Sequence, residues 1–139
     1  VDMGVEPFLV ASSVIGILAQ RLIRTLCPEC KSSYAAPDEE IKELGLSKDM
    51  VGPKPEFWRG EGCPACLETG YQRRMGIHEL MMPNDELREM ILKNVDSNTI
   101  KKTAMGKGMR TLREDGARKV LMGLSSSAEV LRVTAEDAV

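Results

Sequence analysis

Four cysteines fall in two pairs of one form, Cys27-Pro28-Glu29-Cys30 and Cys63-Pro64-Ala65-Cys66, with residues 31–62 between them. Two residues inside a pair let both sulfurs of one loop face a common point, and the proline second in each pair fixes one backbone angle of the turn. Four thiolates around one tetrahedral ion, at about 2.3 Å each, make a closed structural zinc arrangement with no position left for a reactive water. The expected cofactor is a structural Zn2+ on Cys27, Cys30, Cys63 and Cys66, which orders the fold and does no catalysis. In a cytosolic protein, paired cysteines are more often metal ligands than disulfides. Two other readings stay open on the residues alone. Iron satisfies the same four-sulfur chemistry. A single C-P-x-C is also the form of a thioredoxin-like redox pair, although such a pair sits at a helix N-terminus after a strand, and here there are two equivalent pairs. The spacer is longer than the roughly 15–20 residues of compact zinc ribbons, and closing it at its base lowers the entropy of the unfolded chain.

Composition narrows the company this site keeps. A chain of 139 residues, 42% of them hydrophobic, has the size and apolar content of one domain or two small ones. Nineteen Lys and Arg against 21 Asp and Glu leave a net charge of -2, and aromatic residues make up 4%. Duplex nucleic-acid binders usually carry a basic excess, and single-strand binders carry stacking platforms, so no nucleic-acid partner is expected. The chain opens on Val1 and enters a helical pattern within seven residues, so a piece of a longer polypeptide is expected.

The fold class expected is α+β, mostly helical, with a tetracysteine zinc lobe of short strands followed by a small C-terminal helical bundle. Pro7 to Gln20 carries no charge, and Phe8, Ala11, Ile15, Leu18 and Leu22 recur at three-four spacing, which predicts one helix with an apolar face. The run is too short for the about 20 residues of a membrane span, so no transmembrane segment is expected. Gln20, Arg21 and Arg24 would close the helix, placing positive charge at its C-terminus. Asp38 to Leu44 reads as a short acidic-started helix stopped by Gly45, 52–55 as an irregular connection, and Phe57 to Gly60 as an extended return. Tyr71 to Met82 alternates, with Tyr71, Met75 and Ile77 on one face and Arg74 and His78 on the other. After Pro83 the period turns helical: Asn84 or Asp85 caps a helix carrying Leu87, Met90 and Ile91, and Ser97 caps one around Ile100 and Ala104. A further helix spans 111–123, and Ser126 with Glu129 forms a capping box ahead of Val130 and Leu131. Three regions are expected: 1–26, a helix continuing from a larger core; 27–82, the zinc lobe; and 83–139, the helical lobe.

No phosphate-cradling loop occurs; Met105-Gly106-Lys107-Gly108-Met109-Arg110 lacks the first glycine and the terminal hydroxyl of such a motif. His78 is the single histidine, and no motif sets a nucleophile beside it, so no catalytic residue is expected.

The strings 1–10 (VDMGVEPFLV), 19–30 (AQRLIRTLCPEC), 62–66 (GCPAC), 70–80 (GYQRRMGIHEL) and 108–116 (GMRTLREDG) together closely resemble the C-terminal end of the type II secretion and type IV pilus assembly ATPases. Pilus-retraction members generally lack the four-cysteine insertion, which favours the assembly or secretion branch. The resemblance implies a RecA-like hexameric motor at the cytoplasmic face of the bacterial inner membrane, hydrolysing ATP with Mg2+ to drive pilin or pseudopilin fibre assembly. Neighbouring subunits of the ring and an inner-membrane platform protein are the implied partners. The nucleotide-binding motifs would lie upstream of Val1, so this chain is not expected to hydrolyse ATP alone. The resemblance carries over the four cysteines as zinc ligands and the basic positions Arg21, Arg24 and Arg74. Gln72-Arg73-Arg74-Met75 stands where a Gly-Arg-Thr-like run is usual, which leaves Arg73 without an assigned role. Arg74, on an extended segment just after the second pair, would reach the nucleotide of a neighbouring subunit or an inter-subunit ion pair. The alternative function is a free-standing zinc-ribbon module binding nucleic acid or protein, using Trp58, Arg59, Tyr71, Arg73 and Arg74. A thiol-redox protein is the third.

Overall fold

A computed structural model describes residues 3–135; Val1 and Asp2 of the opening string and residues 136–139 at the end of the expected helical lobe lie outside the described residues. The elements are α1 (Pro7–Ser13), β1 (Ile17–Leu26), β2 (Lys31–Ala35), α2 (Asp38–Glu43), α3 (Lys48–Val51), β3 (Glu56–Gly60), β4 (Tyr71–Met81), α4 (Asp85–Leu92), α5 (Ser97–Gly106), α6 (Leu112–Leu121) and α7 (Ser127–Thr134). The fold is α+β with helix predominating, and its two sheets are small, β1 paired with β4 and β2 with β3. Contacts group the chain into two compact units, residues 3–19 with 79–111 and residues 20–78 with 112–135.

The larger unit holds the cysteines. Its β2 and β3 run antiparallel, Lys31 opposite Gly60 and Tyr34 opposite Phe57. Phe57 is fully buried and meets the Tyr34 ring edge-on, centroids 6.4 Å apart, a geometry the ring quadrupoles favour. Ile23, Leu44, Ile77, Ala117, Val120 and Val130 are equally closed to solvent. Helix α6 packs on α7. Gly116 allows the approach, since a Cβ there would lie 2.5 Å from Val130 Cγ1.

In the smaller unit α1 packs on α4 and α4 on α5. Asn84 Oδ1 accepts the Leu87 N–H at 2.9 Å and starts α4, while Asp96 Oδ2 accepts the Thr99 N–H at 3.1 Å and starts α5. The cap of α5 is therefore Asp96 and not Ser97, which is the first helical residue.

The long helix expected from Pro7 through Leu22 is the main correction. It stops at Ser13, and Ile17–Leu26 is a strand. Ser12 and Ser13 turn their hydroxyls back onto the carbonyls of Phe8 and Leu9, a pattern that weakens a helix. The Arg88 guanidinium donates to the carbonyls of Ala11 and Val14, satisfying the exposed end of α1. Val14, Ile15, Gly16 and Ile17 then follow, three β-branched residues and a glycine, all poor helix formers, and pairing with β4 takes over. Arg21 and Arg24 accordingly stand on a strand and serve no helix dipole. Strand β2, short and polar, went unforeseen.

Candidate metal centre

Each cysteine pair is a turn set between extended segments. Leu26 ends β1, and the Cys27 carbonyl accepts the N–H groups of Cys30 at 3.4 Å and Lys31 at 3.0 Å, so the loop closes at once and β2 begins. The second pair sits on a single 3-10 turn, Pro64–Cys66, with the Cys63 carbonyl accepting from Cys66 at 3.2 Å and Glu68 at 2.9 Å. The chain leaves this turn through two left-handed residues, Leu67 (φ 56) and Glu68 (φ 65).

These turns bring together all four sulfurs. The Sγ atoms lie within 4.8 Å of one another, with 3.7 Å between Cys27 and Cys63, 3.8 Å between Cys30 and Cys66, and 3.7 Å between Cys63 and Cys66. A tetrahedral ion at about 2.3 Å from each thiolate requires sulfur–sulfur edges of about 3.8 Å, so the donor set fits one ion. The thiols form no disulfide. Among the described residues this is the one group of His, Cys, Asp or Glu placed to hold a metal.

Backbone donors converge on the sulfurs. Gly62 N–H reaches Cys30 Sγ at 3.3 Å, and the N–H groups of Cys63 and Gly70 reach Cys66 Sγ at 3.3 and 3.2 Å. Burial pushes the Cys30 thiol up to about 12 and also raises Cys63. Burial acts the same way on Cys66, but the Gly70 and Cys63 N–H groups outweigh it and hold that thiol down to about 6. The backbone donors thus favour the thiolate at Cys66, while burial opposes it at Cys30 and Cys63, where metal binding has a proton to displace.

A second polar cluster lies in the same unit. Glu129 is almost fully buried, 1% exposed, and takes a two-point ion pair from Arg24, with Nε at 3.2 Å and Nη2 at 3.0 Å, plus the Arg24 backbone N–H at 2.8 Å and the Arg132 guanidinium. Burial would raise its pKa, but the Arg24 and Arg132 donors prevail and hold the carboxyl below the ordinary carboxylate range. Arg24 lies over the Tyr71 ring at 4.2 Å, and the Tyr71 hydroxyl meets Ser126 Oγ at 2.5 Å. Glu129 completes no capping box: Ser126 Oγ accepts the Glu129 N–H at 3.2 Å, but the carboxylate is drawn away by Arg24. Sequence reasoning missed this pair, because 105 residues separate its members and no local pattern links them.

The basic positions therefore diverge. Arg24 is committed to Glu129 and Tyr71, and Arg21 donates to the Gln20 carbonyl at 2.9 Å. Arg73 and Arg74 are exposed on β4 and border a shallow pocket with Arg24, Thr69, Tyr71 and Gln72. Arg73 has a left-handed backbone, φ 54, which interrupts the alternation of β4. His78 is exposed, and its backbone N–H donates to Asp115 Oδ2 at 2.8 Å. No helix among the described residues is long and apolar enough to cross a membrane.

An α+β chain with a preformed four-thiol cluster is the class that fold and site define. Residues 1–132 match the family model described as "Type II/IV secretion system protein", and the chain belongs to that family. It is 44% identical over 137 residues to "Type II secretion system protein E" of Pseudomonas aeruginosa, covering 99% of this chain and 26% of that protein. It is 46% identical over 142 residues to "Type II secretion system ATPase E" of Vibrio cholerae, covering 97% and 26%. It is 43% identical over 136 residues to "Type IV pilus assembly ATPase PilB" of Thermus thermophilus, covering 97% and 15%. The chain thus spans about a quarter or less of the length of these relatives.

Proposed function

We propose that this chain is a structural zinc module of a secretion or pilus-assembly ATPase, and that it contributes subunit packing and docking while ATP is hydrolysed elsewhere in the protein. Sulfur spacing carries this reading: three of the sulfur–sulfur edges, at 3.7–3.8 Å, match the tetrahedron of a four-thiolate ion, and all four sulfurs lie within 4.8 Å of one another. Cys27, Cys30, Cys63 and Cys66 hold Zn2+, which supplies a fixed cross-link and no open coordination position. Elemental analysis of the chain should give one zinc, with no thiol reacting until the metal is removed. Four freely reacting thiols on a metal-free chain would favour the redox reading, and visible absorption with stoichiometric iron the iron one.

The names of the relatives, a type II secretion system ATPase and a type IV pilus assembly ATPase, support the coarser role of a part of such an ATPase. The finer reading, which rests on the family resemblance alone, is a hexameric motor on the cytoplasmic side of the inner membrane that uses ATP and Mg2+ for pilin or pseudopilin assembly. Neighbouring subunits and an inner-membrane platform protein are its partners. The zinc-ribbon alternative draws less support, since Tyr71 is covered by Arg24 and Trp58 by Lys31, at 4.2 and 4.8 Å. Arg74 is exposed, and its guanidinium makes no hydrogen bond or ion pair among the described residues, as suits a cation offered to a neighbour's nucleotide or carboxylate. In the full-length protein, Arg74→Ala should lower the ATPase rate or weaken the ring, with thermal stability unchanged. A variant with the wild-type rate and assembly would remove Arg74 from the site.

A further inference from the structure

One residue bonds directly to both cysteine turns. Gly70 donates its N–H to Cys66 Sγ at 3.2 Å, and its carbonyl accepts the Cys27 N–H at 2.9 Å, so one residue bonds to a cysteine of each pair. Gly60, the last residue of β3, lies directly against it. A Cβ on Gly60 would come within 2.1 Å of the Gly70 oxygen and 2.5 Å of its Cα, and a Cβ on Gly70 would come within 2.6 Å of the Gly60 oxygen. Both obstacles are backbone, and both backbones are tied down, Gly60 by its pairing with Lys31 and Gly70 by the two bonds to the cysteines. No rotamer change relieves such a clash; a side chain at either position has to lever β3 away from the loop that carries Cys66.

We propose that Gly60 and Gly70 are positioning residues for the metal: their contact sets the separation of the two cysteine pairs, and the Gly70 backbone holds the pairs in register. The inference rests on the reading of the cysteines as a metal site. The two glycines are needed for different reasons. Gly70 has φ +83, where a side chain is strained whatever the space around it. Gly60 has no such conformation, so closeness alone demands glycine there. Alanine at 60 therefore tests the contact without backbone strain. Gly52, with φ +76 and nothing within 4 Å of a Cβ, supplies the opposite control, strain without contact.

The test is Zn2+ affinity of the full chain, measured by competition with a chromophoric chelator, together with the Co2+ absorption spectrum as a reading of the ligand set. Residues that orient metal ligands typically change affinity by about 10–100-fold. Gly60→Ala should weaken Zn2+ binding by that factor and still show the four-thiolate tetrahedral spectrum at saturating Co2+. Gly52→Ala should stay within about twofold of wild type. Because Gly60→Ala and Gly70→Ala break the same contact, the double variant should lose less than the product of the two single losses, as expected for coupled sites. Wild-type affinity in Gly60→Ala, losses that multiply, or loss of the four-thiolate spectrum at saturating Co2+ would each overturn the proposal. A wild-type chain that takes up neither ion would instead overturn the metal reading beneath it.

Discussion

The two units solve the problem of a small core in opposite ways. The unit of residues 20–78 and 112–135 buries Ile23, Phe57, Ile77, Val120 and Val130 and adds polar devices: the four-thiol cluster, the Glu129 ion pair, and buried Ser125, Ser126 and Thr134, each hydrogen-bonded. The unit of residues 3–19 and 79–111 buries Ala11, Leu87, Ile91 and Ala104, and leaves Phe8, Leu9, Ile15, Leu18 and Met82 exposed. Its order rests on helix caps and on the Arg88 contacts to α1. Small units need a staple when the apolar core is thin; one gathers four thiols from distant residues at a single point, the other relies on helix caps and on the Arg88 bonds that tie α4 to the end of α1. The larger unit should therefore respond to loss of a single ion or charge, and the smaller one only by increments.

Metal removal gives the largest contrast. Chelation should raise amide exchange by orders of magnitude at residues 27–31 and 61–70, where backbone donors are bonded to sulfur or to the cysteine turns, because the binding energy of a structural metal is folding energy. Strands β2 and β3 should follow. Helices α4 and α5 should keep their protection. Helices α6 and α7 decide between two divisions of the chain: the sequence boundary at 82/83 groups them with α4 and α5, whereas the contacts group them with the cysteines. Equal loss of protection throughout the chain would erase the comparison.

Next in size is the Glu129 pair. Arg24→Ala would leave a carboxylate that is 1% exposed with Arg132 as its remaining cation, at a cost of about 3 kcal/mol. The acid limb of stability carries the same signature. The folded pKa of Glu129 is depressed, so its contribution is fully present above the ordinary carboxylate value, about 4.3, and is lost as pH falls through the lower folded value. Glu129→Gln should be less stable at neutral pH and flatter on the acid side. An unchanged acid limb in that variant would show that the pair does not govern it.

What was legible in the residues followed the same division. The cysteine set and the helices beyond Pro83 could be read because their determinants are local: C-P-x-C spacing, three-four periodicity, and capping residues such as Asn84 and Ser126. Helix–strand ambiguity defeated the reading of 7–26, where the spacing of Phe8, Ala11, Ile15 and Leu18 fits a helix while Ile17, Ile23 and the partner β4 supply a strand. Strand β2 was hidden because Lys31-Ser32-Ser33 carries no apolar alternation, and its register depends on β3 far along the chain. The Arg24–Glu129 pair and the Gly60–Gly70 contact are products of tertiary structure. A glycine before the Cys63 turn and another after it, Gly60 and Gly70, were the available signal for the second.

The smallest effects should lie in the smaller unit, and its two caps differ in a way that can be separated by pH. Asn84→Ala removes the side-chain acceptor for Leu87 N–H and should cost about 1 kcal/mol, read as fraying of the first turn of α4. Asp96 accepts from both the N–H and the hydroxyl of Thr99. The Thr99 hydroxyl and N–H bonds lower its pKa, so its cap is at full strength above the ordinary Asp value, about 3.9, and is lost as pH falls through the depressed folded value. Asn84 has no proton to gain over this range. Amides at the start of α5 should therefore exchange severalfold faster, relative to those at the start of α4, as the pH is taken down through that window. If both helix starts respond alike, the order of this unit depends on its few buried residues, Leu87, Ile91 and Ala104, more than on its caps.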